Sequence, residues 1–149
     1  MECMKFIVSR IEDWDAVAHA IAEQLKPGMA IRLTGPLGAG KTTLVQALAK
    51  VLGAKGVPRS PTFSLMRTYL VSKRIGIKRL IHIDAYRLES PTDAHALGLD
   101  EEMVEGDTVL AVEWAEKLGG LLNGIPSIDV KIETDPNNGA RRVTLTSDQ

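Results

Sequence analysis

The sequence predicts an α/β fold, a three-layer sandwich with a mixed β-sheet and an antiparallel C-terminal hairpin. Three observations lead there. Gly35-Pro36-Leu37-Gly38-Ala39-Gly40-Lys41-Thr42 is a complete G-x-x-x-x-G-K-[ST] phosphate-binding loop. It lies between a strand-like run, Met29 to Thr34, and a run in which Leu44, Leu48, Val51 and Leu52 recur at helical spacing. Thr108-Val109-Leu110-Ala111-Val112-Glu113 is nearly continuous in apolar residues, as a strand covered on both faces would be. Ser127 to Thr134 and Arg142 to Thr146 alternate around Asp135-Pro136-Asn137-Asn138-Gly139, a turn composition. Together these are the parts of a P-loop NTPase sandwich.

Taken in order, Phe6-Ile7-Val8 reads as a short strand, and Ser9 with Glu12 or Asp13 is placed to cap the next helix. In that helix Trp14, Val17, Ala18, Ile21, Ala22 and Leu25 follow the 3.6-residue period and should face the core. Pro27-Gly28 stops it before the loop strand, and Gly53 follows the loop helix where a C-terminus favours glycine. Lys55 to Pro61, with two prolines and a glycine, is an irregular surface segment. Thr62 to Val71 and Arg79 to Asp84 are strands joined at Ser72 to Gly76, an expected antiparallel hairpin. Ser90 to Glu105 is helical in pattern and broken near Gly98.

The 149 residues, 44% of them apolar, suffice for one domain with a real core, and residues 1–149 are read as that domain. A net charge of −1 gives no global attraction to nucleic acid or membranes. One cysteine, Cys3, excludes an internal disulfide and fits a reducing compartment. The mixed, charged N-terminus carries no secretory signal, and no apolar run reaches the roughly 20 residues of a membrane span, so a cytoplasmic protein is expected. His19, His82 and His95 lack partners at metal-ligand spacing, which argues against zinc.

A triphosphate needs more convergent donors than side chains readily supply. Glycines let successive backbone N–H groups of Leu37 to Thr43 approach its oxygens, while Lys41 reaches the outer phosphates and Thr42 offers a hydroxyl to Mg2+. Asp84 and Glu113 each end an apolar strand, so both carboxylates are expected at the carboxyl edge where nucleotides bind. There such a group holds Mg2+ or orients the attacking water; alternatively it simply caps the next turn. Thr62, in the segment after the loop helix, is placed like a threonine that senses the third phosphate, or is an ordinary loop residue. Trp114 either stacks near the nucleotide or packs the core. Tyr86-Arg87 would contact a partner or the phosphates, and Arg141 or Arg142 the nucleotide base or triphosphate, or each would lie solvated; Asp100-Glu101-Glu102 with Glu105 reads as a solvated helix face. No Asn-Lys-x-Asp segment exists to read guanine, which favours ATP.

The series Gly35 to Thr43, Ser60-Pro61-Thr62-Phe63, His82-Ile83-Asp84-Ala85-Tyr86-Arg87-Leu88, Leu97-Gly98-Leu99-Asp100-Glu101 and Val112-Glu113-Trp114 resembles the TsaE (YjeE) family in order and spacing. The resemblance spans Met29 to Trp114; in the first helix Trp14 and Val17-Ala18 stand where that family often carries a threonine and a Leu-Gly pair. It implies a small bacterial P-loop ATPase needed for threonylcarbamoyladenosine beside the tRNA anticodon, acting with TsaB and TsaD after TsaC supplies threonylcarbamoyl-adenylate. It also implies that Lys41 and the loop amides bind ATP, Thr42 and Glu113 hold Mg2+, Asp84 assists hydrolysis, Thr62 senses nucleotide and Trp114 adjoins the site. On this reading the ATP cycle resets or regulates TsaB and TsaD, and tRNA is met indirectly. Two other functions fit a phosphate loop: a small-metabolite kinase, against which the short, acidic, arginine-free stretch from Thr92 to Asp107 argues, and a non-hydrolysing nucleotide-binding adaptor.

Overall fold

A computed structural model of the chain describes residues 2–36, 38–56, 66–87, 98 and 106–147. Seven strands form one mixed sheet in the order β1-β7-β6-β2-β5-β4-β3. They are β1 (Glu2–Val8), β2 (Ala30–Thr34), β3 (Met66–Leu70), β4 (Arg79–Asp84), β5 (Thr108–Glu113), β6 (Ser127–Thr134) and β7 (Arg141–Ser147). The centre, β6-β2-β5-β4, is parallel. Both flanks are antiparallel: β3 on β4, and β1 and β6 on β7. The C-terminal hairpin and the β3–β4 hairpin are those the sequence predicts.

Two helices, α1 (Trp14–Gln24) and α2 (Lys41–Val51), cover one face. Their apolar stripes, with Val17, Ile21, Leu44 and Leu48 all 1% exposed or less, meet Ile31, Leu33, Val130, Ile132, Val143 and Leu145 from the sheet. On the other face Leu118 and Leu122, from a 3-10 segment Ala115–Leu122, pack on Ala30, Ile81, Ile83, Leu110 and Val112. β5 explains its own composition: Val109 and Ala111 enter the first core, Leu110 and Val112 the second. No described helix is long and apolar enough to cross a membrane.

Two starts differ in detail from expectation. β1 begins at Glu2 rather than Phe6, because its added residues are held by register with β7 (Cys3 opposite Thr146, Lys5 opposite Thr144) while Cys3, Met4 and Lys5 stay exposed. Before α1, Asp13 of the expected Ser9–Asp13 pair holds the N-cap position, but its side chain turns back along the chain and makes no bond into the helix. Its Oδ2 accepts the backbone N–H groups of Ser9 and Arg10, each at 2.9 Å, across a 3-10 turn Ile11–Asp13. Those bonds favour the ionised form and, Arg10 first, then Ser9, hold the Asp13 carboxyl below its ordinary value. The first residues of the Thr62–Val71 strand and nearly all of the Ser90–Glu105 helix lie outside the described residues.

Candidate functional site

The glycine-rich loop joins β2 to α2, and two of its glycines do what no other residue does cheaply. Gly40 is the N-cap of α2 at φ 109° and ψ 14°, and a Cβ there would stand 2.4 Å from Cζ2 of Trp14. Gly38, at φ 77°, has open space where a Cβ would be. Gly40 thus lets α1 pack against the loop, while at Gly38 the backbone can come close to whatever the loop holds.

Lys41 opens α2 yet is only 5% exposed. Its ammonium donates to the Gly35 carbonyl at 2.7 Å and stands 3.8 Å from Oε1 of Glu113. Glu113, the last residue of β5 and also 5% exposed, accepts on Oε2 from Nε2 of His82 at 2.6 Å. A buried carboxylate is tolerated only with such partners, and a cation on one oxygen with a donor on the other supplies them. Trp114 follows with φ 61° and ψ 48°, left-handed backbone that costs a non-glycine residue roughly 1–2 kcal/mol. Its ring lies 5.0 Å from the Lys41 ammonium and 5.1 Å, centroid to centroid, from Tyr86, tilted 53°.

Asp84 ends β4 in register with Glu113, so both carboxylates stand side by side at the carboxyl edge of the parallel strands. Oδ1 of Asp84 also accepts the Tyr86 backbone N–H at 3.1 Å, capping the turn Ala85–Arg87. Thr42 is exposed and Thr43 half-buried at the start of α2. A cavity of about 280 Å³ lies between Gly35, Lys41 and Trp114. A second, about 300 Å³, lies on the loop's other side between Ser9 to Ile11, Trp14, Thr43 and Arg141. Leu37 and Thr62 lie outside the described residues.

The structure thus brings together Lys41, Glu113, Trp114 and the end of Asp84's strand. It separates the two arginines: Arg141 reaches the loop, while Arg142 is exposed opposite Glu133. His82 is the residue sequence reasoning missed. The usable signal is parity: residues 82 and 84 of one strand share a face, so a histidine two positions before a site carboxylate belongs to the same site.

Fold and loop define the class, an α/β sandwich in which a glycine-rich loop joins a central parallel strand to a helix, with acids ending the neighbouring strand β5 and β4 beyond it. A family profile described as "Threonylcarbamoyl adenosine biosynthesis protein TsaE" matches residues 8–143. Proteins described as "tRNA threonylcarbamoyladenosine biosynthesis protein TsaE" are similar over most of the chain. That of Aquifex aeolicus is 42% identical over 120 residues, covering 78% of this chain and 81% of its own. That of Mycobacterium leprae is 36% identical over 131 residues, covering 85% and 80%. The crystal structure of Bacillus subtilis YdiB superposes with a TM-score of 0.73 at 30% identity, over 98% of this chain and 86% of that one. The chain belongs to the TsaE family, whose place is in tRNA threonylcarbamoyladenosine biosynthesis.

Proposed function

We propose that this chain binds ATP with Mg2+ in the cytoplasm, hydrolyses it slowly, and through that cycle regulates or resets a TsaB–TsaD pair making threonylcarbamoyladenosine next to the tRNA anticodon. The observation that supports this most is the buried Lys41 ammonium, held at the N-terminus of α2 between the Gly35 carbonyl and Glu113. A lysine kept in a dry site by one carbonyl and one carboxylate is a fixed counter-charge for an anionic group that exchanges for those partners.

The residues present fit both groups. Gly38, with open space where a Cβ would be, leaves backbone room for phosphates, and Thr42, Asp84 and Glu113 supply the hard oxygen donors that Mg2+ takes. When bound, the cation would offset phosphate charge. Thr42 and Glu113 would hold it, with Glu113 fixed by His82. In hydrolysis a water oxygen bonds to the terminal phosphorus, the bridging P–O bond breaks, and ADP and inorganic phosphate leave. Lys41 would face the charge that builds on the bridging oxygen, and Asp84 would orient the water. Leu37 to Thr43 and Trp114 would bound the nucleotide, and Thr62 would sense its third phosphate. The threonylcarbamoyl transfer itself would be the partners' chemistry, with tRNA met through them.

The test is phosphate release by purified chain, alone and with TsaB and TsaD. Slow hydrolysis, altered by the partners, is expected; no association and an unchanged rate would overturn the reading. ATP binding without phosphate release in single turnovers would favour an adaptor.

A further inference from the structure

Arg141 opens β7 immediately after the turn at Asp135 to Gly139, and its side chain leaves the hairpin for the loop. Nε donates to the Ala39 carbonyl at 3.1 Å and one terminal nitrogen to the Gly38 carbonyl at 3.1 Å. The other terminal nitrogen donates to Gly139. The platform is braced: the Asp135 and Asn138 side chains accept the backbone N–H groups of Asn137 and Ala140, at 2.8 and 2.9 Å. Among the described residues no carboxylate pairs with Arg141, so three carbonyls hold a guanidinium whose charge stays uncancelled.

We propose that Arg141 is a positioning residue for the phosphate loop, a clamp reaching from the C-terminal hairpin that sets the orientation of the loop's peptide groups and adds positive potential beside them. In a trans peptide the C=O of one residue and the N–H of the next point in opposite directions. Gripping the Ala39 carbonyl therefore turns the Gly40 N–H away from Arg141. The Ala39 N–H is already tied to the Pro36 carbonyl at 3.1 Å, so the Arg141 grip and that turn fix consecutive peptides of one loop. A fork of fixed donors suits this; a single ammonium cannot hold three carbonyls in that geometry. The inference rests on the reading that the loop binds ATP.

Titration of the full chain with ATP and Mg2+ tests it, using Arg141→Gln, Arg141→Lys and, as a control, Arg142→Gln on the neighbouring exposed arginine. Arg141→Gln should raise Kd about tenfold to a hundredfold, as loss of groups that orient a ligand's direct contacts does elsewhere. Arg141→Lys should fall between, and Arg142→Gln should match wild type. In hydrolysis the loss should appear in KM with kcat retained, which general destabilisation would not produce. A folded Arg141→Gln protein with wild-type Kd would overturn the proposal, as would equal losses in Arg141→Gln and Arg142→Gln. If the glutamine variant does not fold, wild-type affinity in Arg141→Lys would overturn it. Failure of the wild-type chain to bind ATP would bring down the nucleotide reading first, and this inference with it.

Discussion

Gly40→Ala perturbs the loop in two separable ways. The new methyl would stand 2.4 Å from Cζ2 and 3.1 Å from Cε2 of Trp14, against ordinary contacts of 3.4 to 4 Å, so it intrudes by about 1 Å on a ring that is itself 5% exposed. Overpacking of that kind typically costs about 1–3 kcal/mol. Residue 40 also sits at φ 109°, beyond the left-handed well that side chains tolerate best, which adds roughly 1–2 kcal/mol. The expected loss is roughly 2–5 kcal/mol in urea unfolding followed by far-UV circular dichroism. Gly38→Ala, with φ 77° and nothing within 4 Å of its Cβ, isolates the backbone part and should lose only roughly 1–2 kcal/mol. In a Trp14→Leu background the contact part should shrink while the backbone part persists, a coupling of about 1–3 kcal/mol. Equal losses for the two glycines, or the same Gly40→Ala penalty with and without Trp14, would refute the reasoning.

Other outcomes follow from two paired acids, Glu113 and Asp107. His82→Ala removes the donor from Oε2 of Glu113 and should cost about 1–3 kcal/mol of stability by the same unfolding assay, whereas Glu113→Leu, which strands the buried Lys41 ammonium, should cost more, about 3–5 kcal/mol. Burial acts to raise the Asp107 carboxyl, but the Arg79 guanidinium at 3.1 Å and the Thr108 hydroxyl more than offset that and leave it below its ordinary 3.8. Its contribution is thus full above that value and is lost as pH falls through the lower folded value; Asp107→Asn should flatten the Tm profile below about pH 4 and leave its shape near neutrality unchanged.

Much of this was legible because the deciding pattern was local. Trp14 to Leu25 keeps one face at 3.6-residue spacing and buries it; Val109 to Val112 is apolar throughout because both its faces are covered. The loop declares itself in eight consecutive residues, and Asp84 and Glu113 are readable because each ends an apolar strand. What was not legible depends on pairings distant in sequence. His82 acquires meaning only when β4 and β5 lie parallel with Asp84 opposite Glu113, 29 positions later. Arg141 meets the Ala39 carbonyl across a separation of 102 residues, and nothing local distinguishes it from Arg142 except strand parity. Trp14 reads as a core residue, and is one, but its role in fixing Gly40 depends on how α1 crosses α2.

The most direct measurement is nucleoside analysis of tRNA from cells depleted of this protein and complemented with wild type or with Lys41→Ala. Loss of threonylcarbamoyladenosine on depletion, restored by wild type and not by a stably folded Lys41→Ala chain, is the predicted result. Normal threonylcarbamoyladenosine in depleted cells, or full restoration by Lys41→Ala, would contradict the account.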